Sequence, residues 1–378
     1  MTHTASTRLQ GLDTLRAAAI GLVYMYHYTV FASHAPTFGV LSQVGWIGVD
    51  LFFALSGYLI GNQILRAMQS EAGFSIKTFY ARRFLRTLPN YYAVLALFVF
   101  VPLVRAGSVL PPVWKFLTFT QNINLQIGTA FSHAWSLCVE EQFYLILPAV
   151  ALLVATRKHA VRLGWVLVLA TVLGGMLLRT GLWPQTVVDG EVDWGRYYAL
   201  IYYSPFCRFD ELLAGVVVAM VANFHPAAWA RLTRHGYLTL LVGLLGVSAV
   251  AYSFVVADSS RGFATFGYPA LAFSFALLVV SALSPNSPLA RIRMPGAATL
   301  AVWSYAIYLV HKPIIIVGAK WLKPMQIAAG SGGGVAILTV ASVLGGALLY
   351  CCVERPFLRL RDRRVQQGQA ALAVQTAA

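Results

Sequence analysis

The chain has 378 residues, 58% of them hydrophobic and 11% charged, with a mean hydropathy of +0.69. That composition excludes an ordinary soluble globular domain and predicts an all-α, polytopic transmembrane bundle. The formal charge is +15. Lys and Arg punctuate apolar segments and build no separate basic face, so no nucleic-acid partner is expected.

Ten segments are long and apolar enough to be spans: about 11–32, 47–66, 89–106, 135–156, 161–182, 204–222, 237–257, 266–284, 297–318 and 333–353. The predicted organisation is a short cytoplasmic segment over 1–10, a membrane unit over 11–357, and a tail over 358–378 that is basic and then disordered. Eighteen of the 28 Lys and Arg residues lie at the termini and even-numbered connections, and seven on the opposite side. By the positive-inside rule both termini are expected in the cytoplasm. No cleavable signal peptide is expected, because the first segment is too long and has no A-x-A-like site. Cys138, Cys207, Cys351 and Cys352 show no metal-ligand spacing and are expected to act as small buried hydrophobes, with no disulfide and no metal site.

In chain order, the first segment carries Asp13, Arg16 and His27 inside an apolar run. Eleven residues separate Arg16 from His27, a step that returns to nearly the same helix face about 16 Å further along. Asp13 precedes Arg16 in salt-bridge register. Asp50 opens the second span, which continues into Ser56, Gly57 and Gly61; the GxxxG spacing predicts close helix packing there, in preference to a serine nucleophile. Before the third span, Arg82, Arg83 and Arg86 lie in helical register beside Pro89, which suits a helix start. Three Arg and no Lys fit bidentate phosphate recognition, although the positive-inside rule alone produces such clusters too.

The fourth span opens with His133, Ser136, Glu140 and Glu141, and Ser136, Glu140 and Tyr144 form one stripe. The sixth opens with Arg208, Asp210 and Glu211, where Arg208 and Glu211 are placed either for an intrahelical pair or for contact with substrate. The ninth ends with Ser304, Tyr308 and His311 on one face. Ionisable groups from five spans thus sit in the outer half. Burying each alone would cost several kcal/mol, on the order of the penalty for any unpaired buried polar group, so they are expected to converge on one polar cavity.

Seven motifs in order resemble the membrane-bound acyltransferase family 3: Arg16-x10-His27, LFFALSGYL, Arg82-Arg83-x-x-Arg86-x-x-Pro89, AWSLCVEEQFY, CRFDELLAG, SYAIYLVHKP and Val353-Glu354-Arg355-Pro356-Phe357. The resemblance covers about residues 8–360. It implies a multi-pass enzyme of the bacterial inner membrane that moves an acyl group, usually acetyl, from cytoplasmic acyl-CoA to a hydroxyl. The acceptor is implied to be a carbohydrate such as a lipopolysaccharide O-antigen, exopolysaccharide, Nod factor or peptidoglycan, or a macrolide. No permanently bound cofactor is implied, only acetyl-CoA as co-substrate. Some members end in an additional soluble acyltransferase domain. This sequence shows none, so the membrane unit is expected to complete the transfer or to hand over to a separate periplasmic partner. Oligomeric state is not readable.

On that resemblance, Arg82, Arg83 and Arg86 would hold the CoA phosphates, with Arg16 at the mouth of a channel. His27 would act as general base or accept the acyl group itself. Glu140 or Glu141 would orient or charge-balance His27. Arg208 would stabilise oxyanion charge or hold the sugar, with Asp50, Ser136, Asp210, Glu211 and His311 as further acceptor-side or transition-state support. Outer-loop aromatics, among them Trp46, Trp135, Trp183, Trp194, Tyr197 and Tyr198, would stack on sugar rings or anchor at the interface. The rival reading is a proton-coupled secondary transporter, which predicts inverted repeats that the sequence does not show. A non-catalytic scaffold leaves five polar clusters unexplained.

Overall fold

The computed structural model describes residues 10–71, 73–257 and 260–363. Ten helices of sixteen or more residues occupy the ten predicted positions: α1 (Gln10–Tyr28), α2 (Ile47–Gln69), α3 (Ile76–Phe100), α4 (Trp135–Ala155), α5 (Ala160–Leu182), α6 (Phe209–Phe224), α7 (Gly236–Ala257), α8 (Tyr268–Leu283), α9 (Ala297–Leu322) and α10 (Gly332–Leu349). Among the described residues seven helical segments are long and apolar enough to cross a membrane. An eighth is gained if α6 and Pro226–Arg234, which meet at 112°, count as one broken span. The break falls at His225–Pro226, where proline disfavours helical geometry in the residue before it. Only α1 and α3 fall outside that count, because their polar residues lie within the helix: Asp13 and Arg16 in α1, and Lys77, Arg82, Arg83 and Arg86 in the first half of α3. The protein is an all-α, multi-pass membrane protein.

Burial separates centre from periphery. In the apolar window of α2 72% of residues are buried inside the protein, against 6% in α5. The exposed face of α5 carries Val166, Leu169, Leu173 and Leu177, side chains that bilayer lipid would solvate. At the centre, α2 and α6 approach through glycine. A Cβ on Gly57 would run into the carbonyl of Leu212, one on Gly215 into the carbonyl of Ala54, and one on Gly61 would lie 3.3 Å from the Ala219 Cβ. The GxxxG therefore serves helix packing, as its spacing predicts. Helix α1 packs against α2, α8 and α9, which places its polar stripe in the interior.

Several predicted boundaries move. Helix α3 starts at Ile76, where the Ser75 hydroxyl accepts the Thr78 N–H at 3.3 Å, and it carries Pro89 inside. The Arg cluster thus rides on the helix and does not precede it. Helix α9 continues past the predicted end at 318 to Leu322, with Pro313 inside, so His311 lies near its middle. Cys138 and Cys207 are buried, but Cys351 and Cys352 are exposed, contrary to expectation. Residues 355–363 are helical. The predicted first segment up to residue 9, and the predicted disordered tail from 364, lie outside the described residues. The loop after α5 folds into a two-residue ladder, β1 (Val187–Val188) with β2 (Glu191–Val192). Asp189 and Gly190 turn it with φ of 51° and 86°, the double positive φ of a tight hairpin.

Candidate active site

Two cavities meet in the middle of the bundle. The first, about 260 Å3, is lined by Arg16 of α1, Ser56 of α2, Arg83 and Arg86 of α3, Ser136, Glu140, Glu141 and Tyr144 of α4, and Ser304, Tyr305 and Tyr308 of α9. The second, about 350 Å3, is lined by His27 of α1, by Ser132 and His133 just before α4, by Lys312 of α9, and by the aromatics Phe31, Trp46, Trp135, Tyr198, Tyr202 and Tyr203. Val49 and Tyr308 belong to both walls. Arg16 therefore faces one cavity and His27 the other along a single stripe of α1, the arrangement that their eleven-residue spacing predicts.

The first cavity brings three arginines and two carboxylates together. The Arg83 guanidinium lies 4.0 Å above the centre of the Tyr144 ring. Glu140 accepts a hydrogen bond of 2.8 Å from the Ser56 hydroxyl. Ser136, Glu140 and Tyr144 all line this space, so the predicted stripe on α4 holds. Of the three clustered arginines only Arg83 and Arg86 reach it; Arg82 does not. The face of α3 is tied down by Asn90, whose amide donates to buried Glu354 at 2.7 Å. That contact gives the Val353-Glu354-Arg355-Pro356-Phe357 motif a structural task.

The second cavity is organised by imidazoles. His311 Nδ1 lies 3.0 Å from the carbonyl oxygen of Ile307, which only accepts, so Nδ1 carries the proton. In the neutral ring Nε2 is then a lone pair. It lies 2.7 Å from His27 Nδ1, with the two ring planes 10° apart. His27 must therefore donate through Nδ1, which leaves its Nε2 as the proton acceptor. The partner of His27 is His311, and neither Glu140 nor Glu141: Glu140 is engaged with Ser56 in the other cavity. A third ring, His133, donates from Nε2 to the carbonyl of Leu309 at 3.0 Å, and its Nδ1 has no partner among the described residues. That carbonyl is available because Pro313, four residues on, has no N–H to offer it. Tyr308 donates to the His133 carbonyl at 2.6 Å and accepts from Ser136 at 2.7 Å, which braces the wall between the cavities. With both nitrogens of His311 engaged, the three rings are not free to share an ion. Among the described residues no group of three His, Cys, Asp or Glu is placed to hold a metal.

The remaining predicted residues lie elsewhere. Arg208 is fully buried and lines neither cavity. It donates to Asp50 at 2.8 Å and pairs with Glu211 at 3.0 Å, with Tyr268 and Tyr202 ring centres 4.3 Å and 4.6 Å from its guanidinium carbon. Asp210 pairs with Arg179 at 2.7 Å. Arg208 with Asp50 and Glu211, and Arg179 with Asp210, thus form an ionic cluster at the start of α6, where opposite charges satisfy one another first. Arg179, one of the seven Lys and Arg residues counted on the side opposite the termini, is buried in this cluster. The one available signal was its position within an apolar helix. Lys312, to which sequence reasoning assigned no role, lines the His27 cavity.

The acyltransferase domain family model matches residues 9–351. Peptidoglycan O-acetyltransferase OatA of Listeria monocytogenes is 27% identical over 336 residues, 83% of this chain and 50% of that protein. O-acetyltransferase OatA of Staphylococcus aureus is 23% identical over 330 residues, 82% of this chain and 51% of that protein. The chain spans about half the length of the curated relatives it matches. No solved structure matches it. The family match runs from the start of α1 to beyond the end of α10 and so takes in both cavities; the chain belongs to the acyltransferase 3 family of membrane acyltransferases.

Proposed function

We propose that this chain is a membrane O-acetyltransferase that takes an acetyl group from acetyl-CoA at the Arg83 end and delivers it to a hydroxyl of a cell-wall glycan at the His27 end. The observation that carries this reading is the pair of cavities with a common wall at Val49 and Tyr308, arginine-lined on one side and imidazole-lined on the other. The positive-inside rule assigns the Arg83 end to the cytoplasm of a bacterial inner membrane, where acyl-CoA is made. Arg16, Arg83 and Arg86 are suited to the phosphates of CoA, since guanidinium groups bind phosphate oxygens bidentately. Arg82 does not line the cavity and takes no part in this assignment. At the other end, the aromatic wall offers flat apolar faces to a sugar ring. The names of the relatives favour peptidoglycan over O-antigen as the acceptor.

In this mechanism His27 Nε2 takes the proton from the acceptor hydroxyl as its oxygen attacks the thioester carbon. The carbonyl electron pair moves onto oxygen to give a tetrahedral intermediate. Collapse of that intermediate breaks the C–S bond, and the departing CoA sulfur takes the proton back from His27. His311 holds the imidazole in the productive tautomer, the task a carboxylate performs in other triads. Direct transfer is favoured over an acyl-histidine, because an acyl group on Nε2 would occupy the lone pair with which this ring deprotonates the acceptor.

The test is transfer by purified protein in lipid nanodiscs, with radiolabelled acetyl-CoA and the N-acetylglucosamine–N-acetylmuramic acid disaccharide as probe. Label appearing as a base-labile ester on the sugar is the expected result. Proton-driven uptake of the sugar into vesicles with no ester formed would replace this reading by the transporter one.

A further inference from the structure

Lys312 is 6% exposed, and its ammonium faces the His27 cavity. It donates to the Ser132 hydroxyl at 2.8 Å and lies 4.3 Å from the centre of the Phe31 ring. Neither contact neutralises it: one partner is a hydroxyl and the other an aromatic face. No Asp or Glu lines this cavity. Other interior carboxylates are engaged elsewhere, Glu140 with Ser56, Asp50 and Glu211 with Arg208, Asp210 with Arg179 and Glu354 with Asn90, and Glu141 lines the first cavity. A buried cation with no counter-ion is costly, and the cost is recovered where an anion forms beside it. Ser132 accepts from Lys312 and has no acceptor for its own proton among the described hydrogen bonds, so its O–H is a second donor lining the same space.

From this geometry we propose that Lys312 and Ser132 form the oxyanion site of the reaction. Two donors and the His27 base line one cavity, the juxtaposition an acyl transfer requires. As the acceptor oxygen adds to the thioester carbon, the former carbonyl oxygen gains a full negative charge. Lys312 N–H and Ser132 O–H meet that charge, and it returns to the carbonyl bond when the CoA thiolate leaves. The ammonium is more useful to the transition state than to the neutral thioester, so its contribution falls on turnover and not on donor binding. Arg208, the residue that sequence reasoning favours for this role, has its charge balanced by Asp50 and Glu211.

The assignment rests on the acyl-transfer reading and is tested in the same nanodisc assay. Lys312→Met is expected to lower kcat about 10²- to 10³-fold, the usual cost of removing an oxyanion donor, with KM for acetyl-CoA unchanged. Its melting temperature should equal or exceed that of the wild type, because an unpaired buried charge has gone. Ser132→Ala should lower kcat less, and the double variant should fall little below Lys312→Met, because the hydroxyl is held by the ammonium. A Lys312→Met protein that does not fold, one that turns over within threefold of wild type, or one that loses activity only through a raised donor KM overturns the proposal. A wild-type chain that forms no acetyl ester defeats the acyl-transfer reading itself, whereas an active wild type with an indifferent Lys312→Met defeats this assignment alone.

Discussion

Two regions of this bundle bury the same residue types to opposite ends. At the start of α6, Arg208, Arg179, Asp50, Asp210 and Glu211 pair at 2.7–3.0 Å, line neither cavity, and are packed over by aromatic rings. Between α1, α3, α4 and α9, half-buried Arg16, His27, Arg83, Arg86, Glu140 and Glu141, together with buried His133 and Lys312, line the two cavities. Their partners are hydroxyls, carbonyls, aromatic faces and each other. The comparison teaches that charge inside a membrane protein is ambiguous until its partners are known. A cluster whose charges face one another is part of the scaffold. One whose charges face a void is arranged for something that arrives.

The sharpest way to break this comparison is to remove one group from each region and ask whether turnover or stability responds. His27→Ala should lower kcat by ~10³-fold while the protein still folds and inserts, because it removes the base whose tautomer His311 holds beside the second cavity. His311→Leu should lose about 10²-fold through misplacement of that ring, and His311→Gln, which still accepts from Nδ1, should recover most of it. Equal losses for Leu and Gln would show that the His27–His311 contact does not act through the tautomer. Arg208→Met should do the reverse. Stripping Asp50 and Glu211 of their cation should destabilise the fold by ~3–5 kcal/mol, seen as a lowered melting temperature, with kcat of the surviving protein near wild type. Preserved stability with lost turnover would move Arg208 from the scaffold into the chemistry. The smallest effect is expected from Arg83→Ala, which should raise KM for acetyl-CoA about 10- to 100-fold, the value of one or two charge-assisted hydrogen bonds, and leave kcat little changed. An unaltered donor KM would reduce the Arg face of α3 to a topology signal.

Much of the fold was legible, for a plain reason. Water-excluded helices must satisfy their own backbone, so a run of twenty apolar residues has few alternatives. That constraint located all ten helices and the Gly57–Gly61 contact. It did not locate the ends of α3 and α9, since proline reads as a boundary in sequence, and both Pro89 and Pro313 are carried inside their helices. The division into an arginine end and a histidine end was also legible, because Arg16 and His27 lie on one helix and their spacing fixes their relation. Partnerships across helices were not. His27 and His311 are 284 positions apart, and nothing local in α1 distinguishes an imidazole partner from the carboxylate of Glu140. For the same reason Arg208 looked available and Lys312 looked incidental: periodicity gives the face of a helix but not the residue that meets it.

Pro313 has a reach that its own helix does not reveal. Proline in a spanning helix is usually considered for the bend it introduces, an effect along the axis. Here the effect is lateral: one missing amide hydrogen leaves a main-chain oxygen unclaimed, and the ring of His133 on a neighbouring segment claims it. Any other amino acid at 313 would hand that oxygen back to α9 and leave the neighbouring imidazole to find another orientation, with every polar side chain of the cavity still in place.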